Sequence, residues 1–284
     1  MRLIIRPVIF SCLLIFMLGC KENHLFSKKD KSYFILKKSE LSQEPYHTQH
    51  HRIFSKYAEG WNPYVLKGID IVQATAMDGG GYFVGITANP PESPIGYDLK
   101  LLGRELIKAP RTTSYCSGSS YAAFIEAMNL ILADLNLTTL DSVHLEAMRM
   151  QEPDGGRRED HVKFWGKWNA DGFGNHFSLV QYSGMGKVVL PSEARPGDFA
   201  NISWKSGLGH SVIFLAWVID DQGKYYLRYW SSQKSTHGLS DQLVPVENIK
   251  NIKIVRLTKP ENIKSFDVEN NQIEIKISGD EIMF

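Results

Sequence analysis

The chain has 284 residues, and its 32 Lys and Arg against 31 Asp and Glu leave a formal net charge of +1. So even a balance lacks the basic excess that neutralises phosphates, which argues against a nucleic-acid partner. Hydrophobic residues at 43% and charged residues at 22% are ordinary globular usage, so the chain is not a disordered tail and is long enough for one large domain or two small ones.

From the N-terminus, Arg2 and Arg6 precede an apolar stretch from Val8 to Leu18, followed by Gly19-Cys20. This is the layout of a secretory signal peptide, and the stretch is short for a membrane-spanning helix. The run Met17-Leu18-Gly19-Cys20 resembles the lipobox of bacterial lipoproteins. That resemblance implies loss of residues 1–19, acylation of Cys20 and a membrane anchor through its lipid. Lys21, by the sorting habit of such lipoproteins, implies the periplasmic side of the outer membrane. With Cys12 removed and Cys20 acylated, Cys116 is left as the free thiol, either a buried inert side chain or a reactive one.

Residues 20–60 are polar and mixed in charge and read as a tether. Their cluster His47, His50 and His51 has the residue type of a metal site but no Cys or carboxylate at a matching spacing, so it reads as solvated chain. Neither a metal nor an organic cofactor is expected. A folded domain is expected over 61–260, with a long insertion at about 136–190 and a C-terminal strand or tail at 261–284. Gly79-Gly80-Gly81 predicts a tight turn feeding a strand at 82–87, without the ending of a phosphate loop. The stripe Phe124, Met128, Ile131, Leu132 and Leu135 predicts an amphipathic helix over 117–135. A second helix is expected over 140–150, before the breaker Pro153-Asp154-Gly155-Gly156. Beyond Arg195 the pattern predicts strands at 199–203, 211–219, 225–230, 252–257 and 273–277. Helices first and strands afterwards indicate an α+β fold with an antiparallel sheet.

Cys116 falls in Ser114-Tyr-Cys-Ser-Gly-Ser-Ser120, at the start of the predicted helix. Free N–H groups and the helix dipole favour a thiolate there, and the small residues after it leave room for a substrate carbonyl, with the Cys116 N–H as a donor to an oxyanion. A thiolate needs a base, and histidine titrates near neutrality. His210 is preferred because it opens the strand His210-Ser-Val-Ile-Phe214 after the flexible Gly207-Leu-Gly209; His176 is the second choice and His237 the third. Asp220-Asp221-Gln222-Gly223 is a hairpin turn whose register sets His210 opposite Gln233. The amide is then placed to fix the imidazole tautomer, and a one-residue slip makes Ser232 the alternative.

The run Tyr115-Cys-Ser-Gly-Ser-Ser-Tyr121 resembles the D-C-S-G motif of NlpC-type cell-wall peptidases, and Arg195-Pro-Gly-Asp-Phe199 with Gly209-His-Ser-Val-Ile213 resembles their P-G-D and G-H-V-G-I segments. Tyr115 stands where that family has Asp, Ser211 where it has a small or apolar residue, and Cys116 lies farther from Pro196 than is usual. The resemblance spans about 111–233. It implies a papain-like fold with the nucleophile helix packed on an antiparallel sheet, and amide cleavage in peptidoglycan peptides by Cys116, His210 and Gln233. Tyr115, Ser117, Trp168 and Trp230 are the candidate substrate contacts. The same site serves a hydrolase or an acyltransferase. Two other classes stay open: a binding protein that holds a glycan or peptide in a groove around Trp165, Trp168 and Trp230, and an envelope scaffold that offers 141–190 to a partner.

Overall fold

The run from Gly209 to Ile219, unbroken in apolar residues from Val212 onward, sets the central layer. In the computed structural model, which describes residues 33–284 apart from 43, 90, 93 and 152–162, this run is strand β6 (Gly209–Ile219), the longest strand. Around it lie β4 (Gly186–Val189), β5 (Phe199–Trp204), β7 (Tyr225–Gln233), β8 (Gly238–Pro245) and β9 (Ile249–Leu257), antiparallel in the order β4-β9-β5-β6-β7-β8. Strand β1 (Ile35–Lys37) adds in parallel to the far end of β6, and β2 (Leu99–Leu101) with β3 (Arg104–Ile107) makes a separate two-stranded ribbon. The fold is mixed α+β with an antiparallel sheet. Signal segment, lipobox and Cys20 lie outside the described residues, and no helix among the described residues is long and apolar enough to cross a membrane.

A period of two sends neighbouring side chains to opposite faces. Ile213, Leu215 and Trp230 face α2 (Asn62–Ala74) and α3 (Cys116–Asp134), whereas Val212, Phe214 and Tyr229 form a second core on the other face. Helix α2 reaches α3 at Gly68, where a Cβ would overlap the Ala123 carbonyl. Tyr33, Phe34 and Ile282 pack on the second core, and Phe284 stacks on Tyr225 at 4.0 Å between ring centroids. The first described residues and the C-terminal ones thus cover this face together.

This corrects three expectations. The folded unit begins at Ser32, and residues 33–57, read as part of the tether, carry β1 and α1 (His50–Phe54). Residues 273–277 form no strand; Ile273 and Ile277 pack on the cluster of Ala170, Phe173 and Phe177. The three glycines do turn, all at positive φ, but the next element is a 3-10 turn at Gly85–Thr87 rather than a strand. The glycine backbone docks instead on the β7–β8 corner, where Gly81 N–H donates to the His237 carbonyl at 2.8 Å.

The segment expected as an insertion is part of the main core. Helix α4 (Ser142–Met148) starts where Asp141 accepts the His144 N–H at 2.9 Å. Helix α5 (Lys163–Trp168) sets Phe164 and Trp168 in stacked contact with Phe124 of α3. Helix α6 (Gly174–His176) then runs through a π-helical turn, Phe177–Tyr182, into the edge strand β4.

The Arg195-Pro-Gly-Asp198 run has a structural role. The fully buried Asp198 carboxylate accepts Arg256 Nε and Nη2 and Asn62 Nδ2, each at 2.7 Å, and the Arg195 N–H at 2.8 Å. Gly197, at φ +93°, lies against the Asn62 backbone, where a Cβ would come within 2.8 Å. One turn therefore ties α2, β5 and β9 together.

Candidate active site

Cys116 is the first residue of α3, which has no side-chain N-cap. The N–H groups that every helix start leaves unpaired act here on the thiol: the backbone N–H groups of Cys116 and Ser117, with the Ser211 N–H of β6, favour its thiolate. Ser211 is free to do this because the β6–β7 ladder ends at Ile213↔Trp230. Beyond that pair, serines replace the ladder. Ser231 Oγ donates to the Ser211 carbonyl at 2.7 Å, the Ser232 N–H goes to Ser119 Oγ at 3.1 Å, and Ser120 Oγ meets Ser211 Oγ at 2.8 Å. Small residues at the start of α3 therefore fill a notch between the two strands.

The pairs Ile213↔Trp230 and Phe214↔Tyr229 are those of the predicted hairpin register; a shift between Phe214 and Ala216 displaces the rest toward the turn. His210 and Gln233 lie beyond the end of this ladder, so the register does not pair them; His210 is on the face opposite α3. The imidazole lies between Trp204, with ring centroids 6.3 Å apart, and Tyr229, edge-on at 5.5 Å. Its Nε2 is buried without a hydrogen-bond partner, as is Gln233 Oε1. Gln233 is nevertheless close enough for its amide to favour the imidazolium, and its Nε2 is anchored on Thr236 Oγ1 at 2.5 Å and Ser240 Oγ at 2.9 Å. Ser232 is excluded as orienter by geometry: its hydroxyl accepts from Ser114 Oγ at 2.8 Å, on the α3 side of the sheet.

Cys116, His210 and Ser211 line one cleft of about 220 Å³, with Tyr82, Tyr115, Ser117, Trp168, Asn169, Asp171 and Asn201. Burial pushes the Cys116 thiol up, against the donors that converge on it, and brings His210 down to about 4, against Gln233. Tyr82 and Tyr229 are raised by burial and then by the neighbouring Cys116 charge, so the thiol sits between two phenols. The pair at rest is therefore neutral thiol and neutral imidazole. The thiolate expected from the helix start alone is not favoured, because desolvation outweighs the oriented N–H groups.

Of the candidate substrate contacts, Tyr115 and Ser117 line the cleft, and Trp168 forms part of its floor with Nε1 donating to Ser120 Oγ at 3.1 Å. Trp230 does not belong with them: it is fully buried and donates to Gln73 Oε1 at 2.8 Å, beneath α2. Trp165 is likewise core. His176 and His237 do not line this cleft. Asn169, unmarked as an individual residue by its sequence context, accepts Tyr115 Oη at 2.6 Å and Ser117 Oγ at 2.5 Å.

Of the three histidines read as solvated chain, His47 and His50 are buried and His51 is half-buried. His50 Nδ1 meets Asp70 Oδ1 at 2.7 Å, and its Nε2 meets Asp241 Oδ1 at 2.8 Å. Asp241 Oδ2 takes Arg228 Nη2 at 2.6 Å and Nε at 2.9 Å, with His47 Nε2 at 3.3 Å. Against burial, the two carboxylates push His50 up to about 9. His47, His50 and Asp241 each bring a ligand atom within 4.8 Å of the others, the donor types of a metal site, and in this structure those atoms are engaged with one another, with Asp70 and with Arg228. Compared with protein-family models, with curated proteins and with solved structures, the chain matches none.

Proposed function

We propose that the protein is a cysteine-dependent amide hydrolase of papain-like, NlpC-type architecture. Its substrates are peptides of the bacterial cell envelope, peptidoglycan stem or cross-bridge peptides foremost, and it is anchored through a lipid at Cys20. The observation that carries this reading is the thiol of Cys116, which receives N–H groups from α3 and from Ser211 in the same cleft that His210 lines, with Gln233 behind the imidazole. Nucleophile, base and orienter thus come from a helix start and two adjoining strands.

Chemically, His210 takes the thiol proton as sulfur attacks the carbonyl and delivers it to the departing amine. Water, deprotonated by the same imidazole, then releases the acid and restores the thiol. An amine in place of water turns the cycle into acyl transfer. The low His210 pKa keeps the imidazole an unprotonated acceptor at neutral pH, but it also makes the ring a weak base toward a thiol that burial has raised, so substrate binding has to bring the two closer in proton affinity.

One observation favours a second reading, a binding protein that uses the same cleft: the resting thiol is held neutral rather than acidified. Digestion of purified muropeptides separates the two. The hydrolase releases new amine and carboxyl termini that Cys116→Ala does not; a binder retains the muropeptide intact with either protein.

A further inference from the structure

We infer that Asn169 is the side chain that holds the oxyanion of the reacting carbonyl, an assignment that rests on Cys116 being the nucleophile. The backbone N–H groups of Cys116, Ser117 and Ser211 are directed at the sulfur and so favour the thiolate. A carbonyl attacked by that sulfur places its oxygen farther out in the cleft, where a different donor is required. Asn169 lines the cleft just after α5. Its Oδ1 is taken up by the hydroxyls of Tyr115 and Ser117, the residues on either side of Cys116. Two donors on the oxygen fix the rotation of the amide, so Nδ2 and its two protons are turned away from them and are left for a group bound in the cleft that Asn169 lines. The amide is neutral and pre-oriented: it can stabilise a developing negative oxygen without altering the charge of the resting site. Tyr115 and Ser117 act through it as positioning residues, which explains why a tyrosine precedes the cysteine.

The alternative is that Asn169 only pins the chain around Cys116. Two reagents acting on the same sulfur tell these apart. Iodoacetamide is displaced at a saturated carbon: sulfur bonds to the methylene, iodide leaves, the thiol proton goes to solvent, and no tetrahedral oxyanion forms. With p-nitrophenyl acetate, sulfur adds to the carbonyl, the oxygen becomes anionic, and its collapse expels p-nitrophenolate to leave a thioacetate on Cys116. Rates for both are measured on the full chain, with the adduct at Cys116 located by peptide mass mapping, in the wild type, Asn169→Ala and Asn169→Asp. The aspartate variant keeps the acceptor for Tyr115 and Ser117 and loses only the donor.

The expected result is a loss of acetylation of about 10²–10³-fold relative to alkylation in both variants, the size of one oxyanion donor. Equal losses for the two reagents, or acetylation unchanged, overturn the assignment and leave Asn169 a pin or a bystander. A wild-type Cys116 that neither reagent labels overturns the nucleophile reading itself, and the role of Asn169 falls with it.

Discussion

Two histidines of this molecule, one buried and one half-buried, have been driven in opposite directions. His50 has a carboxylate on each ring nitrogen and is raised to about 9; His210 has one neutral amide nearby and is lowered to about 4. Burial alone disfavours the charged form of both. The difference lies in what the sequence places around the ring. At His50, Asp70, Asp241 and Arg228 complete a charged network that staples α1 to α2 and β8. At His210 two buried polar atoms, Nε2 and Gln233 Oε1, are left without a hydrogen bond in a cleft that also contains a thiol. Satisfied polar groups hold a fold together; unsatisfied ones beside a nucleophile mark where a reaction can complete the pairing.

Four results would break or sharpen this contrast. His210→Ala is expected to lower muropeptide cleavage by about 10²–10⁴-fold, the usual worth of a general base, while leaving the urea midpoint nearly unchanged. Asp241→Ala should do the reverse. It leaves His50 and Arg228 buried without their partner and costs about 3–5 kcal/mol in urea unfolding, with Cys116 alkylation of the still-folded fraction retained.

pH separates the pair by sign. His50 binds its proton more tightly in the folded state, so its stabilisation is whole below pH 6.5 and is lost as pH rises through about 9. His210 resists protonation when folded, so stability is lost as pH falls from 6.5 toward about 4. His50→Gln should flatten the alkaline limb of the urea midpoint against pH, and His210→Ala the acid limb. The smallest effect is expected for Gln233→Ala, about tenfold in cleavage, the equivalent of one hydrogen bond to the base. A loss as large as that of His210→Ala would give the amide a direct part in the reaction.

Much of the sheet was legible because a short apolar run bounded by turn residues is a local signal. The helix predicted over 117–135 forms as Cys116–Asp134, and the hairpin turn fixed a register that holds where it matters, at Ile213↔Trp230. The polar segments were not legible. Residues before Tyr57 look solvated by composition, yet His47 and His50 are buried, because charge can enter a core when its partners come with it, and Asp241 lies 191 residues from His50. Strand β8 carries buried Ser240 and Asp241 and shows no alternation of apolar residues. Conversely, 273–277 alternates and finds no ladder; Ile273 and Ile277 are partly covered by a loop cluster and Ile275 is exposed.

The same limits apply to the cleft. Cys116, His210 and Gln233 could be ordered from helix start and hairpin arithmetic. The role of Trp230 could not, since nothing local tells a tryptophan that faces α2 from one that faces a groove. Asn169 meets Ser117 across 52 residues, through a core contact of α5 on α3 that no spacing rule announces.

The central claim is that His210 acts as base for Cys116. It is tested most directly by the pH–rate profile of Cys116 acetylation by p-nitrophenyl acetate, wild type against His210→Ala. In the wild type the rate should rise through about pH 4, as the imidazole loses its proton, and then level. In His210→Ala it should be low across that range and rise only with ionisation of the thiol, which burial places above its ordinary value. Superimposable profiles, both governed by the thiol alone, would contradict the claim.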